Sequence, residues 1–185
     1  MSHAHSASRD GRDSNIFGAL AVAVAERVSG GAEDVAGHGG AAPAALASLY
    51  TYLDGASIDV LRRPLGLSHS AAVRLTERLA ADGLVSRERG SDGRSVSVRL
   101  TRSGAAAARR LLDERRARLD AALAPLGAAE RAELTRLGEK LLAGMTGGRA
   151  DAGRICRLCD SEACGHYEGL CPVTRAADLR SAPTD

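Results

Sequence analysis

Residues 65–101, LGLSHSAAVRLTERLAADGLVSRERGSDGRSVSVRLT, change hydrophobic period partway along and so constrain the fold more than any other stretch. Ala72, Leu75 and Leu79 fall at i, i+3 and i+7, one apolar stripe of a helix. Ser70, Val73, Arg74 and Glu77 take the complementary, outward positions. Ser68 is the expected N-cap, and Gly83 the stop. Beyond it the period becomes two. Val96, Val98 and Leu100 alternate with Ser95, Ser97 and Arg99, the mark of a half-buried strand. Its partner falls at about 84–89, with Gly90, Ser91, Asp92 and Gly93 as the turn. A helix followed by an arginine-bearing hairpin is the working end of a winged helix-turn-helix. Such a unit places the helix in the major groove of double-stranded DNA and the hairpin along the backbone or in the minor groove.

The rest of the chain reads as helices around this unit. Residues 1–13 are polar, rich in Ser and His, and expected to be a disordered arm. Residues 14–29 predict a helix capped by Ser14, followed by a flexible link, GGAEDVAGHGG. Pro43 suits the first turn of a second helix reaching about Asp54. Ser57 caps a short third helix over 58–65, closed by Pro64 and Gly66. Thr101 caps a long helix to about 124, where Pro125 and Gly127 break it. Leu111, Leu112, Leu119, Leu123 and Leu126 give that helix an apolar face. One more helix over 128–145 carries Leu134, Leu137, Leu141 and Leu142. A long helix in a chain of 185 residues needs a partner surface, which an identical subunit supplies. The expected fold class is mainly α (α+β): a winged helix-turn-helix with flanking N- and C-terminal dimerisation helices. The domain spans 14–146, with its DNA-binding part at about 42–101, and a Cys-rich tail occupies 147–185.

Charge supports the nucleic-acid reading. The net charge of +2 hides an asymmetry: residues 62–118 hold 14 arginines against 6 acidic residues, while the rest holds 11 basic and 17 acidic. A basic middle between acidic flanks is the footprint of a nucleic-acid face. Aromatic residues make up only 2%, with no Trp, which argues against binders that stack single-stranded bases on rings. The apolar run 16–25 after Arg9 and Arg12 superficially resembles a secretory leader. Asp10 and Asp13 spoil its basic start, and ten residues are too few to span a membrane. A cytoplasmic, non-membrane protein is expected. There is no Gly-rich phosphate loop and no hydrolase elbow. A reactive Cys working with His166 would sit in a short tail with no evident pocket, so no enzyme is expected.

In LGLSHSAAVRLTERLAADGLV, in the wing DGRSVSVRLT and in the Gly104 that follows, the chain resembles the MarR family of bacterial transcription regulators. The resemblance covers about 15–145. It implies a triangular homodimer, joined by its terminal helices, on a pseudo-palindromic operator in double-stranded DNA. By the match, Ser68, Ser70, Val73 and Arg74 occupy recognition-helix positions. Arg74 is the base reader, because Arg bonds bidentately to guanine O6 and N7. Ser68 and Ser70 suit phosphates. Val73 departs from the usual Thr or Ser and offers only methyl contact. Asp92 and Arg94 match the family's wing pair, the carboxylate orienting a guanidinium that enters the minor groove. Arg87 and Arg89 flank that tip, and His69 and Arg78 complete the DNA-binding set. Repression is the family's commoner mode. Many relatives bind small phenolic effectors between the dimer and DNA-binding parts. Phe17, Tyr50 and Tyr52 are available to line such a cleft, although each reads first as core.

The tail, ICRLCDSEACGHYEGLCPVTRA, holds every cysteine of the chain. Cys156 and Cys159 form a C-x2-C pair, with Cys164, His166 and Cys171 close behind. Zinc held by the four Cys, or by three Cys with His166, is the leading expectation. An iron–sulfur cluster on the four thiolates is an alternative, although the spacings do not match ferredoxin motifs. Thiol–disulfide switching, with Arg154 and Arg157 lowering thiol pKa, is another. Unmetallated thiols on a mobile tail are the remaining reading. Joined to the last helix, such a centre is expected to bias the two reading heads. A purely structural zinc tail that docks a partner protein is its rival.

Overall fold

The computed structural model describes residues 9–36, 39–89 and 96–181. Its elements run α1 (Arg9–Ala36), α2 (Ala42–Thr51), α3 (Ile58–Leu65), α4 (His69–Ala81), β1 (Val85–Arg89), β2 (Val96–Leu100), α5 (Arg102–Leu123), α6 (Ala128–Met145), α7 (Arg149–Cys156) and α8 (Pro172–Ser181). The fold is mainly helical with one antiparallel hairpin, and the expected class holds.

Three of the expected caps are in place. Ser57 accepts from the Val60 N–H, Ser68 from Ala71 and Thr101 from Gly104. Gly66 closes α3 in the left-handed region at φ 66°, where a side chain would be strained. Pro43 lies in the first turn of α2 as expected, but that helix stops at Thr51. The N-terminus differs more. α1 begins at Arg9, so Ser14 is internal and caps nothing, and residues 9–13 are helical rather than a disordered arm. The same helix continues through Gly30 and Gly31 to Ala36, so most of the expected flexible link is helix. The two glycines cost about 1 kcal/mol each against Ala, which the packing of α1 on α5 offsets. Residues 1–8 lie outside the described residues.

The hairpin pairs Val85 with Leu100, Arg87 with Val98 and Arg89 with Val96. Residues before α3 extend it: Gly55 N–H bonds Val98 O at 3.1 Å, and Val98 N–H bonds Ala56 O at 2.9 Å. The core joins α2 (Leu46, Leu49), α3 (Ile58, Leu61), α4 (Ala72, Leu75, Leu79), the hairpin (Val85, Val98) and α5 (Ala108, Leu111). The stripe Ala72, Leu75, Leu79 is therefore the inward face of α4, as its spacing predicts.

One tight junction joins the wing to the long helix. Thr101 Oγ1 and Ser103 Oγ both donate to Gly83 O, at 2.6 and 2.8 Å. Thr101 N–H bonds Leu84 O at 3.1 Å. That draws α5 onto the strand so closely that a Cβ on Gly104 would meet Leu84 O at 1.8 Å. Ala is the better helix former by about 1 kcal/mol. The clash outweighs this, because the obstacle is backbone. Gly104→Ala is expected to destabilise by about 3 kcal/mol, lowering Tm by roughly 6–12 °C in a calorimetric melt. An unchanged Tm would show that α5 can lift off the strand without cost.

Candidate nucleic-acid interface and thiol cluster

α4 presents its N-terminus and one side to solvent. Ser68, His69, Ser70, Arg74, Glu77 and Arg78 are all exposed. Ser68 Oγ caps the helix and also lies 3.3 Å from Ser70 Oγ, so the two hydroxyls share one site at the positive end of the helix dipole. His69 Nδ1 stands 3.3 Å from Asp59 Oδ1, which also accepts from Arg62 Nε at 2.9 Å. Bonds from Arg62 and then His69 hold the Asp59 carboxyl below its usual range. Asp59, missed in the sequence, steadies the turn between α3 and α4.

Arg74 and Arg78 make no ion pair among the described residues, so both guanidinium groups are available. Val73 differs from expectation. It is half-buried and packs against the core, so part of its methyl surface is committed inward. Arg87 differs too. Its Nη1 donates to Glu77 Oε1 at 3.2 Å, which braces β1 against α4. Arg89 stays exposed at the end of β1. Asp92 and Arg94, the expected wing pair, lie outside the described residues. Arg99 is held by Asp54 at 2.9 Å across the base of the wing.

The aromatic residues do not share a cleft. Phe17 is 49% exposed, Tyr50 37% and Tyr52 38%, so none is core as their side chains first suggest. Tyr50 accepts from Arg109 Nε at 3.2 Å in a cleft of about 680 Å³, with Arg116 and Tyr167 on its walls. Tyr52 faces the cysteines instead.

The tail folds back on the reading head. α7 packs on α3, and α8 on α6 and α7. Gly153 lies against Pro64, leaving ordinary contact room for no more than a methyl group. Ser48 Oγ donates to Arg157 O at 3.2 Å and accepts from the Tyr52 hydroxyl. Tyr167 donates its hydroxyl to Thr51 O at 3.0 Å. Against expectation, the tail thus encloses a cavity of about 200 Å³, lined by Tyr52, Cys156, Cys159, Cys164 and His166.

The thiols are held two by two. Cys156 donates to Cys159; that bond, then burial, raises Cys156. The same bond brings Cys159 down to about 7, helped by Arg115. Burial takes Cys164 up to about 11. Burial also pushes Cys171 up, but the N–H groups of Thr174 and Val173 and the Thr174 hydroxyl, all donating to its sulfur, leave it below the usual range. His166 Nδ1 and Thr174 Oγ1 share a hydrogen bond at 3.1 Å. Among the described residues, no three His, Cys, Asp or Glu side chains stand ready around a point where a metal ion could sit. Nor is any described helix long and apolar enough to cross a membrane.

Helix-turn-helix, wing and long flanking helices define a winged-helix DNA-binding architecture. Comparison with solved structures shows that this fold is that of the MarR-family winged-helix regulators. A MarR-family regulator from Silicibacter pomeroyi is 28% identical, with a TM-score of 0.55 over 75% of this chain and 93% of its own. The MarR-family protein Rv2887 of Mycobacterium tuberculosis, solved with p-aminosalicylic acid, is 25% identical, with a TM-score of 0.53 over 69% and 96%. YusO from Bacillus subtilis, at 22% identity, shares the fold with a TM-score of 0.62 over 72% and 96%. No protein-family model matches the chain, and no curated protein does. Nearly the whole of each neighbour is used, while a quarter or more of this chain lies outside each match. The matched share is close to what α1 to α6 occupy.

Proposed function

We propose that this chain is a homodimeric, sequence-specific transcription regulator that binds a pseudo-palindromic operator in double-stranded DNA, acting as a repressor by occupying it. The observation that carries the reading is the capped, exposed α4, whose Arg74 makes no ion pair among the described residues, set beside a basic wing in a MarR-type fold. Ser68 and Ser70 meet phosphates, together with the α4 N-terminus. Arg74 and Arg78 face base edges. Arg87 and Arg89, with Asp92 and Arg94 at the tip, carry the wing to the backbone and minor groove.

The dimer follows from α6, which buries no residue in the single chain. Leu134, Leu137, Leu141, Leu142 and Met145 are each 37–56% exposed, and Ile16, Phe17 and Leu20 of α1 are about half exposed. Apolar stripes of this size need a cover. A second copy supplies it and spaces two reading helices one turn of DNA apart, about 34 Å.

A small-molecule effector belongs to the same reading. The likeness to a protein solved with p-aminosalicylic acid and the cleft at Tyr50 and Arg109 favour an aromatic acid. The cysteine tail adds a metal or redox centre to which DNA binding responds. Zinc leads, with an iron–sulfur cluster and thiol–disulfide chemistry as rivals. Docking of the tail on α2 and α3 favours a role within this chain over one as a lure for another protein.

Selection from random duplexes tests the DNA reading. It is expected to return an inverted repeat, with log affinity falling linearly in log salt by about 0.9 for each phosphate contacted. Recovery of no shared sequence would overturn it.

A further inference from the structure

We propose that Cys156, Cys159, Cys164 and Cys171 take up one zinc-class divalent cation as a tetrathiolate, fastening the tail to α2 and α3, with His166 orienting a ligand rather than binding the metal. The inference deepens the tail part of the function above, and its test involves no DNA, so the two stand or fall separately.

Cys156, Cys159 and Cys164 line one cavity, with His166 on its wall, and Cys171 lies behind it against Cys164. Either two disulfides or one metal ion could finish such an arrangement, and two observations separate them. The first is Arg115 on α5. Its Nε is buried and has no hydrogen-bond partner among the described residues, yet the side chain lies near enough to Cys159 to act on it electrostatically. A buried donor without an acceptor costs about 1–3 kcal/mol. A doubly negative metal tetrathiolate supplies that acceptor, and a neutral disulfide does not.

The second is the seat of Cys171, which is 3% exposed at the start of α8. Its sulfur collects two backbone N–H groups and the Thr174 hydroxyl. Three donors on one sulfur suit a thiolate held at a helix N-terminus; a disulfide sulfur is a poor acceptor. His166 Nδ1 holds the Thr174 hydroxyl in that direction, which is how outer groups orient metal ligands.

The pairs are not closed around a point as they stand. Metal–sulfur bonds of about 2.3 Å would draw the two pairs together across the cavity, each ligating thiol releasing its proton to solvent. Gly165 and Gly169, at φ 66° and 71°, form the turns between the second pair, in the loop that joins α7 to α8. The lever is short. Cys156 ends α7, whose Gly153 touches Pro64 of α3, and Arg157 O is held by Ser48 of α2. Closing the site therefore fixes the helices that carry the reading head.

The test uses the full chain, purified anaerobically under reducing conditions. Metal content is measured after removal of loosely bound ions, and the zinc is then exchanged for cobalt. One metal per chain is expected, with the strong sulfur-to-cobalt charge-transfer absorption and the visible bands of a tetrahedral tetrathiolate. This readout needs no variant and so survives any folding defect. His166→Gln is expected to keep one metal per chain with affinity reduced about tenfold, and Arg115→Met to do the same. Cys171→Ser is expected to lose binding by a hundredfold or more. Hydrogen exchange should show α2, α3 and α7 losing protection together when the metal is chelated. Absence of metal from the chain so purified would overturn the proposal, as would iron with sulfide, or loss of the cobalt thiolate spectrum in His166→Gln.

Discussion

Leu137→Asp combined with Leu141→Asp is expected to turn the proposed dimer into a folded monomer with little hold on its operator. Both side chains lie on the uncovered side of α6, 41% and 46% exposed in the single chain. Replacing them leaves the winged-helix core of α2, α3, α4, the hairpin and α5 untouched. Each Leu is already more than half covered in the single chain, so burying the rest in the dimer is worth roughly 0.6–1.4 kcal/mol. Four leucines are lost per dimer, on the order of 2–6 kcal/mol, and the cost of burying four carboxylates adds several more. That is enough to dissociate a complex of ordinary affinity. One half-site then acts alone, and operator affinity is expected to fall on the order of a thousandfold, toward the level of non-specific binding. Light scattering reads the mass, a titration the affinity, and far-UV dichroism the retained helix. A variant that stays dimeric would move the interface off α6. A monomer with undiminished affinity would remove the need for a dimer.

The reading head was legible because its local signals agree. Ser57, Ser68 and Thr101 cap where the hydrophobic pattern starts, and Gly66 and Gly83 stop where it ends. The switch from period 3.6 to period 2 between Leu79 and Val96 fixes which faces are buried, and burial follows it. The misreadings occur where tertiary packing overrides local rules. Two glycines at 30 and 31 look like a link, yet α1 runs through them along α5. Ser14 looks like a cap because the apolar run begins just after it, but polar residues from Arg9 can extend a helix that is anchored further on.

The tail shows a different limit. Its cysteines announce a site, and spacing alone suggests a module hanging from the last helix. What sequence does not show is that Ser48, Thr51 and Tyr52 of the reading head meet its backbone and side chains. These contacts link residues more than a hundred positions apart, and no periodicity encodes them. Arg115 carried a faint signal. It follows Ala108 and Leu111 on the buried stripe of α5, one turn further on, where an arginine is out of place unless something anionic faces it.

Arg74→Ala separates base reading from simple attraction to DNA. Arg74 is exposed one turn into α4 and has no ion pair among the described residues, so its removal disturbs little within the protomer. A guanidinium bonding guanine bidentately is worth about 1–3 kcal/mol of discrimination per half-site. The dimer uses it twice, about 2–6 kcal/mol, so affinity for the preferred operator should drop between about thirtyfold and about twenty-thousandfold, while affinity for an operator mutated at the contacted bases should hardly change. Arg74→Lys should recover the salt dependence but not the base preference, because an ammonium keeps the charge and loses the planar fork. Arg87→Ala provides the contrast. Its guanidinium is shared with Glu77, so its loss loosens the brace between α4 and the wing and should weaken every sequence to a similar degree. A double-mutant cycle between Arg74 and each operator base isolates the coupling. If Arg74→Ala weakens all duplexes equally and no base couples to it, Arg74 is a phosphate contact, and the reading of sequence passes to Arg78 or to the wing.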